Sequence, residues 1–226
     1  SRDNTSAASI GAQWRAQNIF AKYGIVPTYV VDYPVATNPE AVRVLRGFLD
    51  AGECEIGAHL HPWVNPPHEE AVTPHNSYPG NLPTELERAK LETLTAAITD
   101  SFGQRPVVDK AGRYGIGPNT AALLETLGYR IDTSVVPHTS FAADGGPDFS
   151  DFGPSPFLFR DSGRLFEVPT TCGFHGLFSA RGRELYPAAA GPFGMRLRIP
   201  GILARLGLLE RIRLTPEATA WPSFAA

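Results

Sequence analysis

Apolar and polar positions along this chain alternate between two periods, one typical of strands and the other of helices. Short runs rich in β-branched residues, the first of them Thr28 to Val31, are each followed by a segment with apolar residues three or four positions apart. Strands and helices that take turns at a spacing of roughly 30 residues are typical of parallel βαβ units. The pattern therefore predicts an α/β fold, either a doubly wound sheet or a β/α barrel.

Start and stop signals set the limits of the predicted elements. Asn38 and Pro39 form a helix start, Thr84 to Glu87 has the spacing of a capping box, and Gly103 ends the helix that follows. The predicted helices cover 9–23, 38–51, 84–102, 118–127 and 195–209. The predicted strands cover 28–31, 53–60, 107–111, 129–136 and 165–168, and a long loop covers 137–156. In the first helix we expect Ile10, Trp14, Phe20 and Ala21 to share the buried face.

Composition excludes several classes of protein. The chain has 226 residues, with 20 Lys and Arg against 23 Asp and Glu, and this near balance argues against both a disordered tail and a nucleic-acid partner. No apolar run approaches the roughly 20 residues of a membrane span. We expect a single domain over 1–226 that is incomplete at both ends, and, because no leader is visible, a cytoplasmic location. Oligomeric state is not readable from the sequence.

The two cysteines, Cys54 and Cys172, are too far apart in the chain for a CxxC metal motif. We expect two free thiols, buried or half-buried.

Candidate chemistry collects where the predicted strands end, because functional groups of parallel α/β folds lie at that edge of the sheet. Asp32 follows the first strand, and the next strand runs into His59, Leu60 and His61. Lys110 and Arg113 come at the end of the third strand, and Asp132 lies at the end of the fourth. We expect this set on one rim, with Asp132 paired to Lys110 or Arg113.

His59 and His61 form the most informative pair. In an extended segment, residues two positions apart point to the same face, so both imidazoles reach one ion while Leu60 enters the core. Imidazole is a common ligand of Zn²⁺ and similar ions. The alternative is that one histidine caps a loop and the other packs against Trp63. Asp32 either caps the turn before Pro34 or takes part in the chemistry. The other histidines, His68, His75, His138 and His175, are expected in loops.

Four segments together resemble the polysaccharide deacetylase family, in its NodB-homology domain. They are VPTYVVDYP at 26–34, EIGAHLHPW at 55–63, AGRYG at 111–115 and LGYRIDTSV at 127–135, and the closest likeness is to bacterial members with the HLHPW form. The resemblance covers about 15–150 and leaves 151–226 as a loop-rich region. It implies a distorted β/α barrel that uses a divalent metal, usually zinc, to remove acetyl groups from sugars.

The resemblance also implies roles for particular residues. His59 and His61 would bind the metal, Lys110 and Arg113 would serve the acyl centre, and Asp132 would position one of them. Asp32, Trp63 and Tyr114 would bind the carbohydrate.

The chain departs from the family pattern in four places. The family's paired acids should precede residue 15, and its acid histidine should follow about 215, but no histidine follows His175. Trp63 stands where the family usually has its second metal-binding histidine, so we assign that role to His61 by geometry. Lys110 stands where the family pattern has Arg. We therefore expect these 226 residues alone to be inactive, to bind Zn²⁺ weakly and to aggregate. The alternative is a carbohydrate-binding or scaffold module on the same fold, with Tyr33, Trp63, Tyr114, Phe141, Phe149 and Phe152 as stacking faces.

Overall fold

Six short strands form the main sheet of the computed structural model, which describes residues 2–3, 5–159 and 163–213. They are β1 (Thr28–Val31), β2 (Glu55–Ala58), β3 (Val108–Asp109), β4 (Ile131–Asp132), β5 (Phe157–Leu158) and β6 (Phe166–Glu167). Their order is β1-β2-β3-β4-β6-β5, and every neighbouring pair is parallel except β5 with β6. The α/β prediction with a mostly parallel sheet is confirmed. Within the described strands β1 and β5 are the two ends, and closure into a barrel stays a prediction.

Five helices accompany this sheet: α1 (Trp14–Lys22), α2 (Tyr33–Thr37), α3 (Pro39–Asp50), α4 (Thr84–Phe102) and α5 (Thr120–Thr126). The predicted start of α3 is confirmed, because the Asn38 side chain accepts hydrogen bonds from the backbone N–H groups of Glu40 and Ala41. Gly103 ends α4 with a φ of 75°, the left-handed conformation that glycine adopts at little cost.

The core of the sheet region lies between α3, α4 and the strands. It includes Leu45 from α3, Ile56 and Ala58 from β2, and Leu94 and Ile98 from α4, all of them buried. Burial of such side chains removes apolar surface from water and is the main force that holds these elements together.

Two local predictions are wrong. The capping box at Thr84 is not formed, because Pro83 takes the cap position and Glu87 is buried as acceptor of a 2.5 Å hydrogen bond from Thr120 Oγ1. The buried face of α1 is also different: Trp14 is 52% exposed, and Gln17 is buried. The Gln17 amide donates to the Glu53 carbonyl and accepts from the Tyr29 hydroxyl, and these bonds compensate its burial.

The described residues divide into two compact units, and the second comprises 135–141, 148–156 and 168–213. It contains the antiparallel pair β7 (Cys172–His175) and β8 (Glu210–Arg213) and the helices α6 (Gly182–Ala190), α7 (Pro192–Arg196) and α8 (Ile199–Arg205). β7, β8 and α6 were not predicted. The predicted helix at 195–209 is interrupted at Arg198, whose φ is 56°. That the chain forms one domain stays a prediction.

Cys54 and Cys172 are free and buried, as expected. Over the described part of the chain, no helix combines the length and the apolar character that a bilayer crossing requires.

Candidate functional site

The strand ends meet in one row, as the sequence predicts. Val31 pairs with Ala58, Ala58 with Asp109, Asp109 with Asp132, and Asp132 with Glu167, so these five residues cross the sheet at one level. The residues that follow them in the chain form the next level. That level includes Asp32, His59 and Lys110, at the edge where ligands bind in parallel sheets.

His59 is fixed by the backbone of the neighbouring strand end. Its Nδ1 lies 2.5 Å from the carbonyl oxygen of Lys110. Because a carbonyl only accepts, Nδ1 carries the proton and Nε2 keeps its lone pair. Burial, together with repulsion from His61, lowers the pKa of His59 to about 4. The ring is therefore neutral at physiological pH, which is the form that binds metals.

His61 is oriented by Asp32. Its Nδ1 lies 3.4 Å from Asp32 Oδ2, and its ring stacks on Trp63 with centroids 4.6 Å apart. Asp32 is itself fixed, since its other oxygen accepts a 3.1 Å hydrogen bond from the Val35 N–H at the start of α2. Burial raises the pKa of the Asp32 carboxyl, but the hydrogen bonds from His61 and Val35 outweigh it and leave the pKa lowered. Asp32 thus both caps a helix and contacts the histidine pair.

The two imidazole centroids are 4.4 Å apart. Within the described residues, Nε2 of neither ring forms a hydrogen bond, and Nδ1 of each faces an oxygen. This is the usual arrangement of metal-binding histidines, whose other nitrogen donates to a carbonyl or carboxylate that sets the ring orientation. The pair therefore has the chemistry of metal ligands, with a lone pair left on each Nε2. A third ligand is lacking in the described part of the chain, where no group of three His, Cys, Asp or Glu side chains is placed to hold a metal.

Lys110 lies beside His59, and Tyr114 lies beside Lys110. Lys110 Nζ donates to the Thr133 carbonyl at 3.1 Å and lies 4.6 Å from the Tyr114 ring centroid. Tyr114 and Arg113 both have left-handed backbone, with φ of 60° and 56°. Such conformations cost about 1–3 kcal/mol each in non-glycine residues and cluster at functional sites.

Gly112 allows this loop to approach His61 closely. Its N–H donates to the Leu60 carbonyl at 3.0 Å. A Cβ at this position would lie 2.3 Å from that carbonyl oxygen and 2.5 Å from His61 Cδ2, inside van der Waals contact. Only glycine fits here without moving the histidine.

Arg113 does not join the histidine group. Its guanidinium donates to Ser77 Oγ at 2.5 Å, lies 3.7 Å from the Asp144 carboxylate and covers the Tyr78 ring. Arg113 therefore ties the loop at 112–114 to two other loops of the same unit.

Asp132 also has partners other than those predicted. It is fully buried, and the contacts found for it are with Ser134 and Glu167. Ser134 Oγ donates to Asp132 at 2.6 Å and accepts from the Ala111 N–H at 2.8 Å, so Asp132 supports the backbone just before Gly112. Burial raises the pKa of Asp132, and burial followed by the charge of Asp132 raises that of Asp109 well above its usual range. Asp109 and Glu167 were not predicted as site residues, although acidic residues within predicted strands are a readable signal.

Lys90 was not predicted to contribute to the site either. Its fully buried Nζ donates to the carbonyls of Pro62 at 3.0 Å, Asn65 at 2.7 Å and Pro67 at 2.6 Å, and lies 3.0 Å from Glu70 Oε2. Helix α4 thus holds the loop that follows His61 and carries Trp63. A lysine within a predicted helix is normally expected to be exposed, so the sequence contained no signal that Lys90 is buried.

A cavity of about 280 Å³ opens beside the candidate site. Its lining includes Tyr29 and Val31 of β1 together with Asp32 and His59. It lies along the strand that forms one end of the described sheet.

The predicted stacking aromatics differ in how far they are exposed. Trp63 and Tyr114 are half-buried at the site. Phe149 is only 3% exposed and packs edge-on against Phe141 and Phe152, so these three rings form a small core in the second unit.

No family model and no curated protein matches the chain. Among solved structures, a Mycobacterium smegmatis protein named as a polysaccharide deacetylase matches with a TM-score of 0.50 and 22% identity, over 73% of this chain and 46% of that one. A Pseudomonas aeruginosa PAO1 protein, also named as a polysaccharide deacetylase, matches with a TM-score of 0.46 and 22% identity, over 74% and 45%. The PuuE allantoinase matches with a TM-score of 0.48 and 20% identity, over 74% and 48%.

These comparisons bear on the fold. The chain shares its α/β architecture with the Mycobacterium smegmatis protein and spans about half the length of each of these three structures.

Proposed function

We propose that this chain carries part of the active site of a metal-dependent hydrolase that removes acetyl groups from a carbohydrate. The observation that supports this best is the histidine pair, His59 and His61, with both Nδ1 atoms facing oxygens and both Nε2 atoms left for a metal. The resemblance of 26–34, 55–63, 111–115 and 127–135 to polysaccharide deacetylases adds the substrate class and the reaction.

His59 and His61 would hold the metal, and Zn²⁺ is one of the ions that imidazole ligands suit. A catalytic zinc site has three protein ligands, so one more ligand has to come from outside the described residues. The cavity beside Asp32 and His59 leaves room for it next to β1. When bound, such an ion activates water and polarises the acetyl carbonyl.

The residues of this chain would orient the reaction and bind the sugar. Asp32 holds His61 in position, and the half-buried Trp63 and Tyr114 rings offer faces on which a sugar stacks. The Lys110 ammonium, near the Tyr114 ring, supplies a positive charge that stabilises an oxyanion at the acyl centre. Asp132 and Arg113 act indirectly, because their contacts hold the loop between Ala111 and Tyr114.

The first test is Zn²⁺ titration of the purified chain by calorimetry. We expect weak binding that H59A or H61A each abolishes. D32N is the sharper variant, because Asn still caps α2 but lacks the carboxylate charge that faces His61. Loss of such a partner lowers metal affinity by about 10–100-fold. H68A, in the exposed loop that follows, is the matched control. Equal affinity in H59A, H61A and the unaltered chain would refute the assignment.

The second test is acetate release from acetylated chitooligosaccharides with and without added Zn²⁺. We expect release from a form of the protein that supplies the third ligand, and none from its H59A variant. Release that is insensitive to H59A and to chelation would exclude the proposed chemistry.

A second candidate function is carbohydrate binding without hydrolysis. The lack of a three-ligand group among the described residues favours it. Calorimetry with the same oligosaccharides in EDTA separates the two: binding that persists without metal, in a protein that never releases acetate, supports the binding module.

A further inference from the structure

A group of basic and aromatic side chains lies in the second unit and contains none of the residues of the candidate site. Arg211 of β8 pairs across the strands with Phe174 of β7, and its guanidinium lies 5.9 Å from the Tyr186 ring centroid. The Phe174 ring is 5.6 Å from Tyr186 and 5.2 Å from His138. We name His138, Phe174, Arg183, Tyr186 and Arg211 the basic cluster.

Arg183 belongs to this cluster through the loop that carries His138. The His138 N–H donates to the Phe152 carbonyl at 3.2 Å, and Arg183 Nη2 lies 3.8 Å from the position of a Cβ on Gly153, the next residue. Burial, followed by repulsion from Arg183 and Arg211, lowers the pKa of His138. Arg211 donates to the residues on either side of His138, and Arg183 lies against the loop that binds the His138 backbone.

The cluster carries positive charge without a carboxylate to balance it. Across the described residues, neither Arg183 nor Arg211 forms an ion pair. Arg211 donates to the Pro137 carbonyl and the Thr139 hydroxyl, but its Nε is buried and has no hydrogen-bond partner in that part of the chain. Glu210, the next residue along β8, points to the other face of the strand.

A half-buried guanidinium with a free N–H is costly unless an anion compensates it. Two guanidiniums and an imidazole are the donors that proteins use for carboxylate and phosphate groups. The rings of Phe174 and Tyr186 lie next to them, and aromatic side chains are partners that sugar rings pack against. His138 is held with a φ of 55°, an uncommon conformation for a residue other than glycine.

We propose that the basic cluster is a binding site for a small anionic molecule, in which a carboxylate or phosphate group is carried on a sugar-like ring. The two arginines bind the oxyanion, and the aromatic rings contact the ring that carries it. The site does not depend on the histidine pair or on a metal.

The test is calorimetry of the whole chain in EDTA at low ionic strength, with inorganic phosphate, glucuronate, glucose 6-phosphate and glucose as probes. We expect both acidic sugars to bind more tightly than inorganic phosphate, and glucose not to bind. The tighter of the two acidic sugars identifies the oxyanion as carboxylate or phosphate. No binding of either acidic sugar at tens of millimolar, or binding no tighter than that of inorganic phosphate, would overturn the proposal.

Variants locate the binding. R183Q removes an exposed cation, and loss of one charged hydrogen bond lowers affinity by about tenfold. R181Q, two residues earlier and also exposed, is the matched control and keeps full affinity. H138N tests the imidazole in a residue that tolerates the left-handed backbone. Equal affinities in R183Q and R181Q would refute the site even if an R211Q variant failed to fold.

Discussion

The Nδ1 atom of His59 lies 2.5 Å from the carbonyl oxygen of Lys110, so the imidazole is oriented by backbone and not by a side chain. The same residue, Lys110, directs its ammonium to the Thr133 carbonyl and the Tyr114 ring. Ligand orientation and positive charge thus come from two different parts of one residue.

This separation predicts the behaviour of K110M. The carbonyl remains, so Zn²⁺ affinity should fall far less than the roughly 10–100-fold that follows loss of a hydrogen-bond partner of a ligand. Acetate release by a form of the protein with a complete metal site should decrease strongly, because the cation is gone. Parallel calorimetry and activity measurements check this, and a loss of Zn²⁺ affinity equal to that of H59A would contradict it.

Gly112 should not tolerate a side chain. The Cβ of G112A would meet the Leu60 carbonyl at 2.3 Å and the His61 ring at 2.5 Å, and overpacking of this kind costs about 1–3 kcal/mol. We expect lower stability in urea together with weaker Zn²⁺ binding. Gly47 gives the control, because it lies in α3 and a Cβ there would have no atom within 4 Å. G47A should raise the free energy of unfolding by about 0.5–1 kcal/mol.

Lys90 should be among the most sensitive positions. K90M leaves three buried carbonyls and the Glu70 carboxylate without their cation, and removal of one partner of a buried pair costs about 3–5 kcal/mol. Urea unfolding of K90M against K22M, in which an exposed lysine is changed, measures the difference. A loss in the free energy of unfolding smaller than that of K22M would mean that the loop after His61 is stable without Lys90.

Glu87 should make stability depend on pH in the direction opposite to an ordinary carboxylate. Burial raises its pKa from 4.5 to about 7, although the Thr120 hydroxyl bond opposes the change. Between these values the folded chain binds a proton that the unfolded chain has lost. Stability therefore falls as pH rises from 4.5 to 7, by about 3 kcal/mol over the window.

E87Q removes this titration and keeps an oxygen for Thr120. It should unfold like the unaltered chain near pH 5 and should be the more stable of the two at pH 8. E85Q, an exposed substitution on the same helix, should leave the pH dependence unchanged. Urea midpoints at both pH values measure this difference. The same change of stability with pH in E87Q and the unaltered chain would contradict the titration of a buried Glu87.

The two helix-start signals in the sequence should differ in energy. Asn38 caps α3 with two hydrogen bonds, so N38A should cost about 1 kcal/mol. Thr84 makes no cap bond, and its hydroxyl only accepts from exposed Asn119, so T84A should stay within about 0.5 kcal/mol. Thermal unfolding of both variants tests the contrast, and equal costs would mean that the cap geometry is not decisive.

The sequence predicted correctly those helices and strands whose limits and buried faces depend on their own residues. The β-branched run at 28–31 forms β1 with the predicted ends, and α4 buries the side chains that recur at helical spacing in the sequence, Leu91, Leu94, Ile98 and Phe102. The row of strand ends followed from the parallel pattern, which is why Asp32, His59 and Lys110 were found together.

Tertiary contacts decided the rest. Gln17 is buried because Tyr29 and Glu53 satisfy the hydrogen bonds of its amide. Glu87 accepts a hydrogen bond from Thr120, which is 33 residues away, and does not cap the start of its own helix. The partners of Asp132 could not be chosen from the sequence, since Ser134 and Glu167 compete with Lys110 and Arg113 for a buried carboxylate. The sequence of the second unit contains few signals of secondary structure, because its strands are short and lack a regular alternation of apolar and polar residues.

The two thiols have a practical consequence, because Cys54 belongs to the first compact unit and Cys172 to the second. Burial, followed by the charges of Glu53 and Glu55, raises the pKa of Cys54 to about 11, and burial also raises that of Cys172. A protonated, enclosed thiol reacts with an alkylating reagent only when its surroundings open. The chain thus has one natural reporter of local opening in each unit, and labelling rates of the single variants C54A and C172A would give the opening free energy of each unit separately.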